Sequence, residues 1–331
     1  GLWAAVRGGI FLENRANLVG SDLCRGKKSS LRLKTRPGRK AEQINSRVTQ
    51  KNSATLHHHH HRSTPKMTTH LVLGARGGCG AHLVRALLAR PSTEIANIQA
   101  VVRTPASVTE PWITDARVEV LAGDVTTPES LDFQQVDTVY FVCAGRGYEL
   151  CQAVDRDGVH TVATLCKAHN VRRMVLVSSG LVDPLLNRWN VVRGLLNTIN
   201  TGLFHYKGMM DFKFEGEELL RASGQEYTIL RPGRLGDAAR DVTKAVPCCG
   251  QTNAGFLGGS IITREALAYL CVDAAMSEDA ANVTCEVGTQ PPKEVESKTD
   301  GAAAIATGVD QLFHGLVSDD VRTTMESTTC G

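Results

Sequence analysis

No apolar run in this 331-residue chain reaches the roughly 18 residues that a membrane-crossing helix needs. Its ten cysteines include no C-x-x-C pair and no Cys/His grouping with zinc-ligand spacing, so no metal site is expected. Cys143, Cys166 and Cys271 lie in apolar segments and read as small core residues, which suits a reducing compartment. Cys248-Cys249 reads as a pair of free thiols in a loop. Acids are scarce at the start. Residues 1–66 carry fourteen Lys/Arg against three Asp/Glu, a net of +11, and the rest carries 23 against 31, a net of −8. The overall +3 therefore hides an acidic body, which argues against a broad nucleic-acid surface on the globular part.

Residues 1–67 have no sustained apolar period beyond Leu2 to Leu12 and cannot build a core, so a disordered basic leader is expected. It reads either as an organellar transit peptide, with a chloroplast or mitochondrial destination, or as non-native leader before a start at Met67, which implies a cytoplasmic protein. A basic arm for organellar RNA is a weaker third reading. His57 to His61 reads as a solvated tract.

What is present begins at His70-Leu71-Val72-Leu73-Gly74-Ala75-Arg76-Gly77-Gly78-Cys79-Gly80, followed by the helix-compatible Ala81 to Arg90. Strand, glycine turn and helix are the layout of a dinucleotide site. Gly74 permits the tight turn, Gly77 lets backbone approach a pyrophosphate, and Gly80 lets helix and strand pack closely. The helix N-terminus offers unpaired N–H groups to phosphate oxygens. Further strands are expected at Ile98 to Val102, Val118 to Leu121, Asp137 to Cys143, Met174 to Val177, Tyr227 to Leu230 and Val283 to Val287. Helices are expected at Leu150 to His169, at Phe212 to Ala222, and from an N-cap at Thr263 through Ala274. Asp241 to Gly259 reads as a long loop, 289–307 as a flexible tail, and Val309 to Val317 as a short closing helix. Alternation of strands and helices predicts a Rossmann-like, doubly wound parallel sheet over residues 68–290. A small C-terminal lobe lies on the substrate side, and residues 291–331 form a tail.

Several motifs occur in a telling order: Gly74-x-x-Gly77-x-x-Gly80, Arg103 after strand two, Gly123-Asp124-Val125, Ala144-Gly145 and Val177-Ser178-Ser179. Glu217 to Gly224, Tyr227-Thr228-Ile229-Leu230-Arg231-Pro232-Gly233 and Thr263-Arg264-Glu265-Ala266 follow. In this order they resemble the atypical, NmrA-like branch of the short-chain dehydrogenase/reductase superfamily, in its plant and algal form. The resemblance implies an NAD(P) site built from Gly74, Arg76, Gly77, Cys79, Gly80, Arg103, Asp124, Val125, Ala144, Gly145 and Lys213. Arg103 stands where an acid would favour NAD, and its guanidinium matches a 2′-phosphate, so NADP(H) is the expected cofactor. Asp124 is placed toward the adenine amine; as a residue of its own it also suits an Asx turn.

The superfamily's reduction uses a Tyr proton donor, a Lys four residues later on the same helix face, and a Ser after strand five. Ser178 or Ser179 and Lys213 fill two of these places, but Met209 stands where the Tyr belongs. Tyr206, seven before Lys213, is about 10 Å away along a helix. Two readings follow. One is an NADPH-dependent oxidoreductase slowed by the missing acid; the other is a non-catalytic NADP(H)-dependent regulatory or assembly factor. The substrate is unknown from the sequence; Trp189, Phe204, Tyr206, Met209 and Met210 either line its pocket or pack a helix.

Overall fold

The computed structural model describes residues 68–184, 191–202, 205, 207–236, 246–251, 261–290 and 312–323. The expectations for residues 1–67, for Trp189, Phe204 and Tyr206, and for most of the 241–259 loop and the 289–307 tail lie outside these. Among the described residues one sheet has eight strands in the order β3-β2-β1-β4-β5-β6-β10-β8. These are β1 (Thr68–Leu73), β2 (Ile95–Val102), β3 (Val118–Ala122), β4 (Thr138–Phe141), β5 (Arg173–Val177), β6 (Tyr227–Pro232), β8 (Val246–Gly250) and β10 (Val283–Gln290). All neighbours run parallel except β8, which is antiparallel to β10. A separate pair, β7 (Arg234–Gly236) and β9 (Ile261–Thr263), carries the chain beyond the carboxyl end of β6.

The central strands carry apolar runs, residues 71–73, 139–141, 174–177 and 229–230, because both faces are covered. On β1, Val72 enters the layer shared with α1 (Gly78–Leu88) and α5 (Arg264–Met276). Leu71 and Leu73 enter the opposite layer, shared with α2 (Val159–Ala168) and with Leu220 of α4 (Met209–Ala222). Leu71, Val139, Leu176 and Ile229 fall on the adjacent strands β1, β4, β5 and β6 and are buried together. This is the doubly wound sheet. The strand order reverses between β1 and β4, and ligands of such sheets bind in the crevice beyond the carboxyl ends of the strands there.

Two expectations change. Part of the long loop is β8, an edge strand paired from Val246↔Gln290 to Gly250↔Glu286. The closing helix is not formed over its described part: residues 312–315 are a turn, with Phe313 fully buried, and the helical residues are 319–323. Within the described part, Leu312 and Phe313 of the turn join the α1/α5 layer of the core.

Candidate functional site

The phosphate end of the site is built from glycine. Gly74 leaves β1 with φ at +90°, a conformation that side chains resist. A Cβ on Gly80 would lie 2.1 Å from the Gly74 carbonyl oxygen, so only glycine lets α1 approach the turn. Gly77 caps α1 without a side-chain cap, no acid occupies its first turn, and Gly77 and Gly78 are exposed. The unpaired N–H groups at this end therefore face solvent beside a closely approachable backbone, which is what a pyrophosphate needs. Cys79 is half-buried. Burial pushes its thiol above the usual range, partly opposed by the charges of Arg264 and Lys213, so it is not a nucleophile.

Arg103 is exposed just past β2, where the expected site would take the adenosine. Arg76 reaches out of the glycine turn to donate to Ser107 Oγ at 2.7 Å, which brings the turn and the segment after Arg103 together. Two guanidinium groups thus border this end. Asp124 forms an Asx turn: its Oδ1 accepts from Thr126 N at 2.9 Å and from Thr126 Oγ1 at 2.8 Å. Val125 is buried beneath it.

Beyond the carboxyl ends of β4 and β5 the fold gathers Ala144, Gly145, Ser178, Lys213 and one residue that sequence reasoning missed, Asp155. Ala144 is exposed and Gly145 buried; a Cβ on Gly145 would lie 2.1 Å from the Leu150 carbonyl oxygen. Asp155 is 1% exposed and sits in a π-helical stretch, Cys151–Gly158, that leads into α2. Such stretches are often found at functional sites. Its Oδ2 accepts from the Gly145 N–H at 3.0 Å and its Oδ1 from Lys213 Nζ at 2.8 Å. Gly216, one turn after Lys213 on α4, makes this possible: a Cβ there would lie 2.1 Å from the Asp155 carbonyl oxygen. One buried carboxylate therefore holds both the loop after β4 and the lysine. Nothing in the sequence signals it: Asp155 stands in the charged run Asp155-Arg156-Asp157 of an amphipathic pattern, 58 residues from its partner.

Met209 opens α4, capped at Gly208 by the Asp211 carboxylate, and occupies the helix face of Lys213 four residues on. Ser178 N donates to the Leu230 carbonyl, and its buried Oγ lies near the Glu217 carboxylate without a hydrogen bond of good geometry. Ser179 is half-buried. A cavity of about 10 Å³, room for about one water, lies among Phe141, Cys143, Asp155, Val159, Leu176, Val177, Ser178 and Lys213. Burial and the Asp155 and Asp124 charges push the Cys143 thiol up to about 12, against Lys213 and Arg103, so it too stays protonated. Among the described residues there is no cluster able to hold a metal ion and no helix long and apolar enough to cross a membrane.

The glycine turn, the two arginines beside it and the lysine held against the loop after β4 fit a dinucleotide. The sequence profile of the NAD(P)H-binding family matches residues 74–278. An uncharacterized chloroplastic protein of Arabidopsis thaliana is 26% identical over 245 residues, 71% of this chain and 81% of its own length. Among solved structures, an oxidoreductase of Lactococcus lactis superposes with a TM-score of 0.55 at 17% identity, covering 68% of this chain and 92% of its own. A short-chain dehydrogenase/reductase of Veillonella parvula, in complex with NADP, gives 0.52 at 20% identity, covering 67% of this chain and 95% of its own. These two likenesses are of fold.

Proposed function

The chain belongs to the NAD(P)H-binding family, and on that premise we propose that it is an NmrA-like, atypical short-chain dehydrogenase/reductase that binds NADP(H) and reduces carbonyls slowly. The observation that carries the slow step is Met209, on the face of Lys213 where a proton donor would stand. Gly74, Gly77 and Gly80 with the α1 N-terminus would take the pyrophosphate. Arg103 and Arg76 would take the 2′-phosphate, and Lys213 the nicotinamide ribose. A bound nicotinamide supplies hydride chemistry; the chain supplies position and charge. General acid catalysis contributes about 10²–10⁴-fold, so a site without its acid turns over slowly. NADPH oxidation across a panel of quinones, aldehydes and ketones tests this. Trace or slow oxidation is expected, with Met209→Tyr raising it, because Tyr would share a face with Lys213. Wild-type turnover at rates ordinary for reductases would overturn it.

The non-catalytic reading, an NADP(H)-dependent regulatory or assembly factor, is favoured by the Lys213–Asp155 pair. The lysine is held by a carboxylate that also fixes Gly145, an arrangement that can report cofactor occupancy to the loop after β4. It predicts NADPH binding with no oxidation of any carbonyl and no gain from Met209→Tyr. The basic, acid-poor residues 1–66 and the chloroplastic relative support an organellar destination for either activity.

Cofactor choice is checked separately. Arg103→Ala is expected to weaken NADPH by about 1–3 kcal/mol and to leave NADH nearly unchanged, because one charge-assisted contact to the 2′-phosphate is lost. Fluorescence titration with both dinucleotides reads this; an equal loss for the two, or a wild-type preference for NADH, rejects the assignment.

A further inference from the structure

The glycine turn has a neighbour from the far end of the fold. Arg264 is the first residue of α5, directly after β9 and the Thr263 N-cap, whose hydroxyl accepts from Ala266 N at 3.0 Å. Its side chain passes over Gly78, the first residue of α1: a Cβ at Gly78 would lie 3.0 Å from both Arg264 Cδ and Nε. The guanidinium is thereby brought beside the unpaired N–H groups of α1. The adjoining thiol of Cys79 registers it, together with Lys213, as one of two opposing cations.

This is an unfavourable place for a cation. The N-terminus of a helix carries a partial positive charge, and Arg264 borders two of them, α1 and its own α5. Glu265 in the first turn of α5 answers that helix's dipole, but α1 has no acid in its first turn. A guanidinium, two helix N-termini and exposed glycine backbone converge at one point. The arrangement fits a ligand that brings negative charge to this point.

We propose that Arg264 binds the pyrophosphate of the dinucleotide, completing from the late part of the chain a site that the glycine turn begins; the proposal rests on the dinucleotide reading above. Its guanidinium makes a charge-assisted contact to a group that NADPH and NADH share, so it sets affinity without setting selectivity. It also ties the cofactor to the segment leading to the substrate side. Arg264 follows β9, which pairs with β7 from Arg234↔Ile261 to Gly236↔Thr263, and β7 continues from β6. A bound pyrophosphate thus pins the end of that small sheet to α1.

The test is titration of the full chain with NADPH, NADH and adenosine 2′-phosphate, which lacks the pyrophosphate. Arg264→Met, which keeps most of the apolar stem, is expected to weaken both dinucleotides by the same factor, about 10- to 100-fold. Adenosine 2′-phosphate should bind Arg264→Met as it binds wild type. Arg264→Lys should recover part of the loss, and it carries the test if thermal denaturation shows Arg264→Met unfolded. Unchanged dinucleotide affinity in the variants, a loss confined to NADPH, or an equal loss of adenosine 2′-phosphate overturns the proposal and leaves the dinucleotide site standing. A wild-type chain that binds neither dinucleotide overturns both.

Discussion

Replacing Glu217 by alanine is expected to cost the fold about 3–5 kcal/mol, because it strands a buried arginine. Glu217 is 0% exposed on α4 and faces Arg231 at the end of β6. Arg231 Nη2 donates to Glu217 Oε2 at 2.6 Å and its Nε to both carboxylate oxygens at 3.2 Å. Among the described residues every side-chain hydrogen bond of Arg231 ends on Glu217. Arg221 also donates to Glu217, at 3.0 Å, but has Asp319 and Thr284 besides. Burial alone would raise the Glu217 carboxyl; Arg231 and Arg221 outweigh it and hold the group below its ordinary value of 4.5. The stability that this pair contributes is therefore present above pH 4.5 and is lost as pH falls through the lower folded value. Urea unfolding at neutral pH measures the cost. The double variant Glu217→Leu/Arg231→Met should recover most of it, since an apolar pair strands no charge. A single-variant loss under about 1 kcal/mol, typical of exposed pairs, would show that the network does not hold α4 to the sheet.

The parts of this fold that were legible in the sequence are those whose cause is local. Residues 71–73 of β1, 139–141 of β4 and 174–177 of β5 are covered on both faces and so appear as short apolar runs. The start of α1 was placed three residues late, at Ala81 rather than Gly78. Glycine is a poor helix former, and the helix begins there because close packing against Gly74 demands it. β8 was read as loop because Val-Pro-Cys-Cys-Gly has little strand character of its own. It is a strand by pairing with β10, and Pro247 is tolerated because β8 is the edge.

The candidate site divides the same way. The glycine turn is contiguous in the chain, and each glycine's role follows from backbone geometry alone. Lys213 could be placed by its distance from Ser223-Gly224, but nothing local announced Asp155, whose oxygens bind Lys213 and Gly145. Glu217 and Arg264 were visible only as parts of a resemblance. One is read by its burial against Arg231 and the other by its path over Gly78, and both relations cross the fold. Periodicity reports which side chains are buried; it carries no information about which buried charges meet.

Glu286 was among the residues that no pattern singled out, and it carries the second large effect: its contribution to stability should fall as pH rises from about 4.5 to about 7. The side chain lies on β10 beside Arg231 in register, is 7% exposed and makes no hydrogen bond among the described residues. Burial is the main reason its carboxyl is pushed up to about 7; the Asp183 charge adds to it, while Arg231 and Arg322 oppose it. Arg231 helps little because its guanidinium is committed to Glu217. The folded chain thus binds this proton more tightly than the unfolded chain. Stability from it is complete below the unfolded value of 4.5, declines through the interval, and is level above 7. The gap corresponds to about 3 kcal/mol at its upper end. Glu286→Gln removes the titration without removing the shape. Urea unfolding at pH 4, 6 and 8 should show the variant matching wild type at pH 4 and exceeding it by about 2–3 kcal/mol at pH 8. Comparing the two chains at each pH cancels the opposite trends from Glu217 and from His70, whose ring burial lowers to about 4, since both chains retain them. A variant no more stable than wild type at pH 8 would mean that the Glu286 carboxylate is satisfied when charged, and that Arg231 serves both acids.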